Sequence, residues 1–307
     1  MDKNSNVVSS GKKRLNAFSK RGIVFCYIML SFSIVHFLVF WVLVNANSLK
    51  IAFTIRDGLG IERFSLSNFE MFFADIVNPY STVMQCAKNT VLYFVADMFK
   101  RAVAFLVAYF FYKKIWGAKA FRIIFFLPSI ISDIIEVTIF KSFIATYGPL
   151  YNMLKAIGYE LPALLGSAAT ATPTIIFYTI WSGFGTTMLI FVGVMNRIPE
   201  DVIDAGKIDG CTWTKEFSKI IIPLGWETLY TTFILGLAGI FMASGPIMLF
   251  TGGAFNTYTL SYWIFDQARN GTYNYPAAIG LVFTALTIPI TFISRWLMSN
   301  FSSDISY

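Results

Sequence analysis

The chain has 307 residues, 56% hydrophobic and only 13% charged, with 32 phenylalanines and a formal net charge of +7. Its mean hydropathy is +0.63. A water-soluble domain needs more charge than this to cover its surface, so that class is excluded. A membrane protein collects Lys and Arg on its cytoplasmic face, which accounts for the positive charge without nucleic acid as a partner.

Residues 1–21 form a polar, basic tail. The apolar run that follows, 22–46, is long and has no small-residue cleavage site, so it is expected to remain as an anchor. Crossing about 30 Å of hydrocarbon takes roughly 20 helical residues. Five further runs reach that length: 90–112, 121–144, 172–195, 226–250 and 277–298. The second carries Asp97, Lys100 and Arg101, and the third carries Asp133 and Glu136. These two are the least apolar. A four-span arrangement would nevertheless leave the run "FRIIFFLPSIISDIIEVTIF" outside the bilayer, against hydrophobic burial.

The basic residues set an orientation. Lys3, Lys12, Lys13, Arg14, Lys20 and Arg21 in the tail fall on one side. With them lie Lys113, Lys114, Lys119 and Arg122 in the second loop, and Arg197, Lys207, Lys215 and Lys219 in the fourth. Arg295 is also on that side. The opposite loops hold only Lys50, Arg56, Arg63, Lys155 and Arg269. This asymmetry predicts that both termini and the fourth loop are cytoplasmic, and an even number of spans agrees.

Within the spans the charges have two readings. Asp97 and Arg101 are one turn apart and can pair with each other, or the cluster can face the path of a solute. His36, the single histidine, reads as a packed polar residue. The three cysteines (Cys26, Cys86, Cys211) are scattered, which argues against a disulfide framework and a metal cluster. No nucleophile–base pair and no His-Glu-x-x-His spacing is present.

The fourth loop, "EDVIDAGKIDGCTWTKEFSKIIIP", reads as two short helices around a turn. Pro199 suits a first helical position, and Glu200, Asp201 and Asp204 load the early turns with the favourable charge. Val202, Ile203, Ala205 and Gly206 give a small apolar side. Asp209-Gly210 is the turn, Thr212 an N-cap, and Pro223 is expected to end the second helix. A smooth, small-residue helix can dock closely in a groove. It can equally be a loop packed on its own spans.

The pattern Asp204-Ala205-Gly206, Gly210, Ile220, Ile222, Pro223 resembles the "EAA" loop of ABC importer permeases. The departures are Asp for Glu, Gly for the second Ala and Ile for Leu. The resemblance runs along most of the chain and is to the carbohydrate-uptake branch. It takes in Asn89-Thr90, "YGPLYNML" with Gly148, Asn152 and Leu154, Trp181, "MLIFVGVMNRIP", "TGGAFNTYTL" and "YNYPAAIGLVF".

The resemblance implies an all-α membrane protein of six transmembrane helices, with the type I ABC importer permease fold and a cytoplasmic coupling helix. The tail 1–21 would precede the first helix and an extracytoplasmic loop (22–84). The transmembrane core would occupy 85–300, with the loop at 197–223, and a short tail 301–307 would follow. The permease would not be an enzyme. The chain has no Gly-x-x-x-x-Gly-Lys-Ser/Thr motif, and ATP and Mg would bind a partner ABC ATPase dimer, with no cofactor in this chain. A second homologous permease, an extracytoplasmic solute-binding protein and the lipid bilayer complete the implied partners. The cargo would be a sugar, an oligosaccharide by the last of those stretches.

Coupling would fall to Asp204, Ala205, Gly206, Asp209, Gly210 and Pro223. Sugar recognition needs aromatic faces and convergent polar groups. Tyr178, Ser182 and Thr186 share a helical face, with Trp181 beside them. Thr232, Gly236, Ile240 and Ala243 or Ser244 form a stripe on the fifth span. In the family the corresponding parts of these spans line the sugar path. Gly236, Gly239 and Ala243 read equally as a helix-packing stripe. A secondary transporter driven by an ion gradient is the competing class.

Overall fold

The computed structural model describes residues 20–56, 61–242 and 246–302. It divides into two units, one up to Lys50 and one from Ile51 onward. In the first, α1 (Lys20–Phe37) continues through a π-helical segment (Leu38–Leu43) into α2 (Val44–Ala52). Its apolar side chains are exposed around the whole circumference, as in a helix solvated by lipid. His36 packs against Phe40 of its own helix, with the two rings tilted and their centroids 4.8 Å apart.

The second unit opens with a hairpin of β1 (Thr54–Arg56) and β2 (Glu62–Phe64), antiparallel in the register Thr54↔Phe64. Then come α3 (Ser67–Val77), α4 (Thr82–Tyr112), α5 (Ala118–Phe126), α6 (Asp133–Ile144), α7 (Pro149–Ala156) and α8 (Ala168–Met195). These are followed by α9 (Glu200–Ile208), α10 (Trp213–Glu216), α11 (Ile222–Ala238), α12 (Ile247–Phe250), α13 (Leu260–Arg269) and α14 (Asn274–Ser302).

Among the described residues, four helices are long and apolar enough to cross a membrane: Val24–Ala52, Ala168–Met195, Trp213–Ala238 and Asn274–Asn300. The expected spans over 90–112 and 172–195 lie within single helices, α4 and α8. The run 121–144 does not form one continuous helix. Pro128 starts a short 3-10 turn (Pro128–Ile130) after α5, and Ser132 is extended before α6. The run 226–250 is also broken. Helix α11 stops at Ala238, with Gly239 as its C-cap, and α12 begins after Pro246, whose ring cannot continue a helix.

Helix α4 is the axis of the second unit and contributes to all three buried clusters. Toward its C-terminal end Phe105, Ala108 and Tyr109 pack with Met188, Phe191 and Met195 of α8, Ile203 of α9 and Ile221. Further back Tyr93 packs with Ile175, Tyr178, Ile247 and Tyr262. At its N-terminal end Val83 and Cys86 pack with Phe72, Trp263 and Ile279. Lipid tails are as apolar as these side chains, so close packing rather than escape from water holds them. Small residues make the approach possible. A Cβ on Gly185 of α8 would lie 2.1 Å from the Phe125 carbonyl oxygen of α5.

Polar side chains fasten the N-terminal end of α4. Asn89 Nδ2 donates to the carbonyls of Asn256 (2.6 Å) and Tyr258 (2.8 Å), and Thr90 Oγ1 accepts from the Leu260 amide. The conspicuous dipeptide Asn89-Thr90 and the stretch "TGGAFNTYTL" are thus two halves of one clasp. Beside it, Tyr258 donates to Asp266 at 2.9 Å. Burial first, and then that carboxylate, push the Tyr258 hydroxyl up to about 12.

Candidate functional site

Helix α9 is built from its sequence much as expected. Pro199 is the N-cap rather than the first helical residue, and Glu200 and Asp201 fill the first turn. At its far end the Gly210 amide donates to the Lys207 carbonyl (3.0 Å) and the Cys211 amide to the Gly206 carbonyl (2.9 Å). This is a Schellman ending, which needs a left-handed residue just past the helix. Gly210 supplies it at φ +71. Ile203 and Gly206 face inward and are buried. Gly206 lies under Ile220, whose Cδ1 would be 2.7 Å from any Cβ placed there. A larger residue there would have to displace the end of the Ile220 side chain. Val202, Ala205 and Ile208 face outward and exposed, and Ile208 has 86% of its surface free. Asp204 and Lys207 pair at 2.7 Å on the rim. Hydrogen bonding to Asp204, then its charge, raises the Lys207 ammonium above the ordinary lysine value.

The segment after the turn departs from expectation. Thr212 holds the N-cap position, but its side chain bonds the Thr214 hydroxyl (3.1 Å) instead of capping. Pro223 does not end a second helix. Helix α10 runs through a π-helical segment (Phe217–Ile221) directly into α11, with Pro223 in the first turn of α11. The proline falls where the hydrogen-bond register changes, and there its missing N–H is tolerated. This end of α11 is tied to α4: Lys113 pairs with the buried Glu216 at 2.5 Å, and Tyr109 donates to the Trp213 carbonyl at 3.4 Å.

A cavity of about 450 Å³ lies among α4, α6, α8 and α12. Lys100, Asp133, Tyr178, Ser182, Gly183 and Leu249 are among its lining residues. Asp97 holds Lys100 and Arg101 together, each at 2.7 Å. Glu136, buried behind the cavity, accepts from Ser182 at 2.9 Å through one oxygen while its other oxygen has no partner. Lys141 is spent on the Leu249 and Phe250 carbonyls. Among the described residues Asp133 has no ion pair or hydrogen bond. The cations near this cavity are already engaged, and its free groups are acceptors.

Residues 101–307 match the family described as binding-protein-dependent transport system inner membrane component. The chain belongs to this family. It is the non-catalytic permease of an ATP-driven importer, and ATP hydrolysis belongs to a separate subunit. The permease is 27% identical over 253 residues to the probable ABC transporter permease protein YesP of Bacillus subtilis, covering 80% of each chain. It is 29% identical over 173 residues to the multiple sugar-binding transport system permease protein MsmF of Streptococcus mutans, covering 55% of this chain and 59% of MsmF. Its fold is like that of a chain in the crystal structure of a bacterial alginate ABC transporter in complex with an alginate pentasaccharide-bound periplasmic protein. That match has a TM-score of 0.80 and 19% identity and covers 91% of this chain and 95% of the other. Permeases of this family work with a solute-binding protein and an ATPase, and this one is a multi-pass membrane protein.

Of the residues the sequence suggests for the permease's cargo path, the structure brings Tyr178 and Ser182 to the cavity. Trp181 lies beside them, its ring stacked on Phe140 at 6.0 Å. Thr186 is exposed on another part of α8. Thr232 is buried and bonded to the Leu229 carbonyl, Gly236 packs against Met98 and Arg101 of α4, and Ile240 is half-buried. None of these three lines the cavity. Ala243 and Ser244 lie outside the described residues. Asp133 and Gly183 also line the cavity, with Glu136 bonded to Ser182 behind it, and none of the three was among the residues the sequence suggested. Two acids three residues apart in an apolar run were the available signal, since charge inside a membrane faces a bundle interior or water.

Proposed function

We propose that this permease moves an oligosaccharide into the cytoplasm by alternating access, with α9 as the element an ATPase dimer grips. The observation that carries the proposal is the construction of α9. Its inner face is packed into the α4–α8 core, its end is fixed by Gly210, and its outer face presents Val202, Ala205 and Ile208, exposed among the described residues. Gly206 seats that face under Ile220, the Asp209-Gly210 turn ends it, Asp204 lies on its rim, and Pro223 stands in the first turn of α11 beyond it. ATP and Mg act on the ATPase, whose closure pushes on α9. Because Lys113 is paired with Glu216, that push reaches α4 directly. A second, homologous permease completes the pathway, an extracytoplasmic binding protein delivers the cargo, and both termini are cytoplasmic.

The cavity is the candidate cargo site on this chain. Tyr178 and Trp181 offer aromatic surface to sugar C–H groups, and Asp133 and Ser182 offer polar groups to hydroxyls, with Glu136 behind orienting Ser182. The sugar-binding name of a relative agrees with this. An ion-gradient transporter has no use for a docking helix outside the bundle.

Co-purification tests the reading. The tagged full-length chain is expected to bring an ATPase and a second permease, and Ile208→Asp is expected to lose the ATPase while the chain still reaches the membrane. Undiminished ATPase recovery with Ile208→Asp would remove α9 from the role.

A further inference from the structure

A second cavity, of about 500 Å³, opens where α4 turns into α5. Lys114, Lys119 and Arg122 line it, together with Tyr112, Gly117 and Asn196. Among the described residues none of the three cations has an ion pair or a side-chain hydrogen bond. Arg122 Nε is inaccessible to solvent and has no partner at all. No carboxylate lines the cavity. Two acids, Glu200 and Asp204, line the adjoining cavity, and Asp204 is already paired with Lys207. Lys113, the remaining cation of the run, is committed to Glu216.

Three cations around one hollow repel one another, and a buried guanidinium N–H without an acceptor is costly. A chain that keeps this arrangement needs an anion to complete it. The amino end of α5 reinforces the demand, because Gly117, Ala118 and Lys119 border the hollow and the first amides of a helix favour negative charge. The surroundings indicate where the anion comes from. Trp116 is 94% exposed beside the hollow, a placement suited to a membrane–water interface. Helix α5 then presents Phe121 and Ile124 outward, one turn apart. A ligand with a phosphate at one end and hydrocarbon at the other would satisfy both features.

We propose that Lys114, Lys119 and Arg122 form a binding site for a phosphate group, contributed by the head group of an anionic phospholipid with its acyl chain along α5. The site is separate from the cargo cavity and from α9. It depends on the membrane placement of the bundle and not on the identity of the cargo. Because it shares Tyr112, Lys114 and Asn196 with the cavity beneath α9, a bound head group would brace the joint on which α9 sits.

The test is native mass spectrometry of the purified importer complex titrated with phosphatidylglycerol or with phosphatidylcholine. The wild-type protein is expected to retain phosphatidylglycerol preferentially. Each basic residue near a lipid head group is worth about fivefold in binding, so Lys119→Gln/Arg122→Gln should weaken retention about 30-fold. The control Lys219→Gln/Arg295→Gln, which removes two exposed cations elsewhere, should leave it within about twofold. If Arg122 variants fail to assemble, Lys114→Gln/Lys119→Gln carries the same expectation. A parallel arm adds inorganic phosphate to protein in phosphatidylcholine nanodiscs and follows thermal unfolding. Stabilisation there, abolished by the same variants, would keep the phosphate site and assign it to soluble phosphate. Equal retention of the two lipids, or equal loss in the control and the cavity variants, with no effect of phosphate, would overturn the site.

Discussion

Replacing Asp97 with Asn tests whether the charges inside α4 are structural. Asp97 is the single anion between two cations, bonded to Lys100 through one oxygen and to Arg101 through the other, each at 2.7 Å. The Arg101 guanidinium lies against Gly236 of α11, and Lys100 Nζ is 3.0 Å from where a Cβ on Gly183 of α8 would sit. The cluster is thus a knot joining three helices. The Asp97→Asn change would leave two like charges facing each other in a span. Breaking a buried pair by removing one partner costs about 3–5 kcal/mol. Asp97 keeps 27% of its side chain exposed, so the lower end applies, about 3 kcal/mol. Arg101→Gln should cost less, about 1–2 kcal/mol, because Lys100 still neutralises Asp97. The double variant should cost less than the sum, since one of the two stranded cations is gone. The assay is equilibrium unfolding of the four proteins in mixed micelles, read as a double-mutant cycle. A coupling of at least about 1 kcal/mol is expected for residues in direct contact. Strictly additive losses, or equal losses for the two single changes, would refute the reasoning.

Gly210→Val should lower stability by about 1–2 kcal/mol through backbone strain alone, because no atom lies within 4 Å of the position a Cβ would take. Uptake should fall while the ATPase still hydrolyses, and Gly210→Asn, which tolerates the left-handed conformation, should recover most of it. Lys113→Gln strands the buried Glu216 and should cost about 3–5 kcal/mol, largely restored by adding Glu216→Gln; thermal unfolding of the three variants checks this. The Lys207–Asp204 pair should give no pH dependence near neutrality. A raised lysine pKa contributes stability that is complete below the ordinary lysine value and lost only as pH rises through the higher folded one. Uptake by Lys207→Gln should therefore keep the wild-type pH profile between about pH 6 and 8.

The parts of this molecule legible in its sequence are those governed by local rules. Apolar runs gave the helices, and α4 and α8 match their expected spans at the C-terminal ends, α8 running on through Pro173 near its start because packing supports it. Asp209-Gly210 gave the turn because a left-handed residue there has few alternatives to glycine. The breaks after α5 and after α11 had visible signals in Pro128, Gly239 and Pro246, but hydropathy averaged over a span conceals them. The π-helical passage just before Pro223 had no signal, since a register change depends on what α10 packs against, and that is Lys113 and Tyr109 more than a hundred positions away. The cavity was half legible for the same reason. Spacing put Tyr178 and Ser182 on one face, with Gly183 beside them on α8, but Asp133 reaches it only through the arrangement of α6 against α8.

Helix α4 connects these observations physically. Its amino end is clasped by Asn89 and Thr90 to the segment before α13, its middle carries Lys100 at the cavity, and its carboxyl end is paired through Lys113 with Glu216. Thirty-one residues at 1.5 Å each make a rod of about 46 Å. A rod packed along α8 by buried side chains cannot bend cheaply, because a close-packed interior resists small displacements. Movement of α9, transmitted by Ile203 to the core around Ile221 and so to the Lys113 pair, therefore has two outlets, breaking a buried ion pair or carrying α4 and α8 along as one body. The second costs less. On that account the cavity changes its shape by sliding against α6 and α12, the short helices bounded by Pro128, Ser132, Gly239 and Pro246, rather than by bending α4. The breaks that interrupt the third and fifth apolar runs are then the joints about which the cavity can change shape.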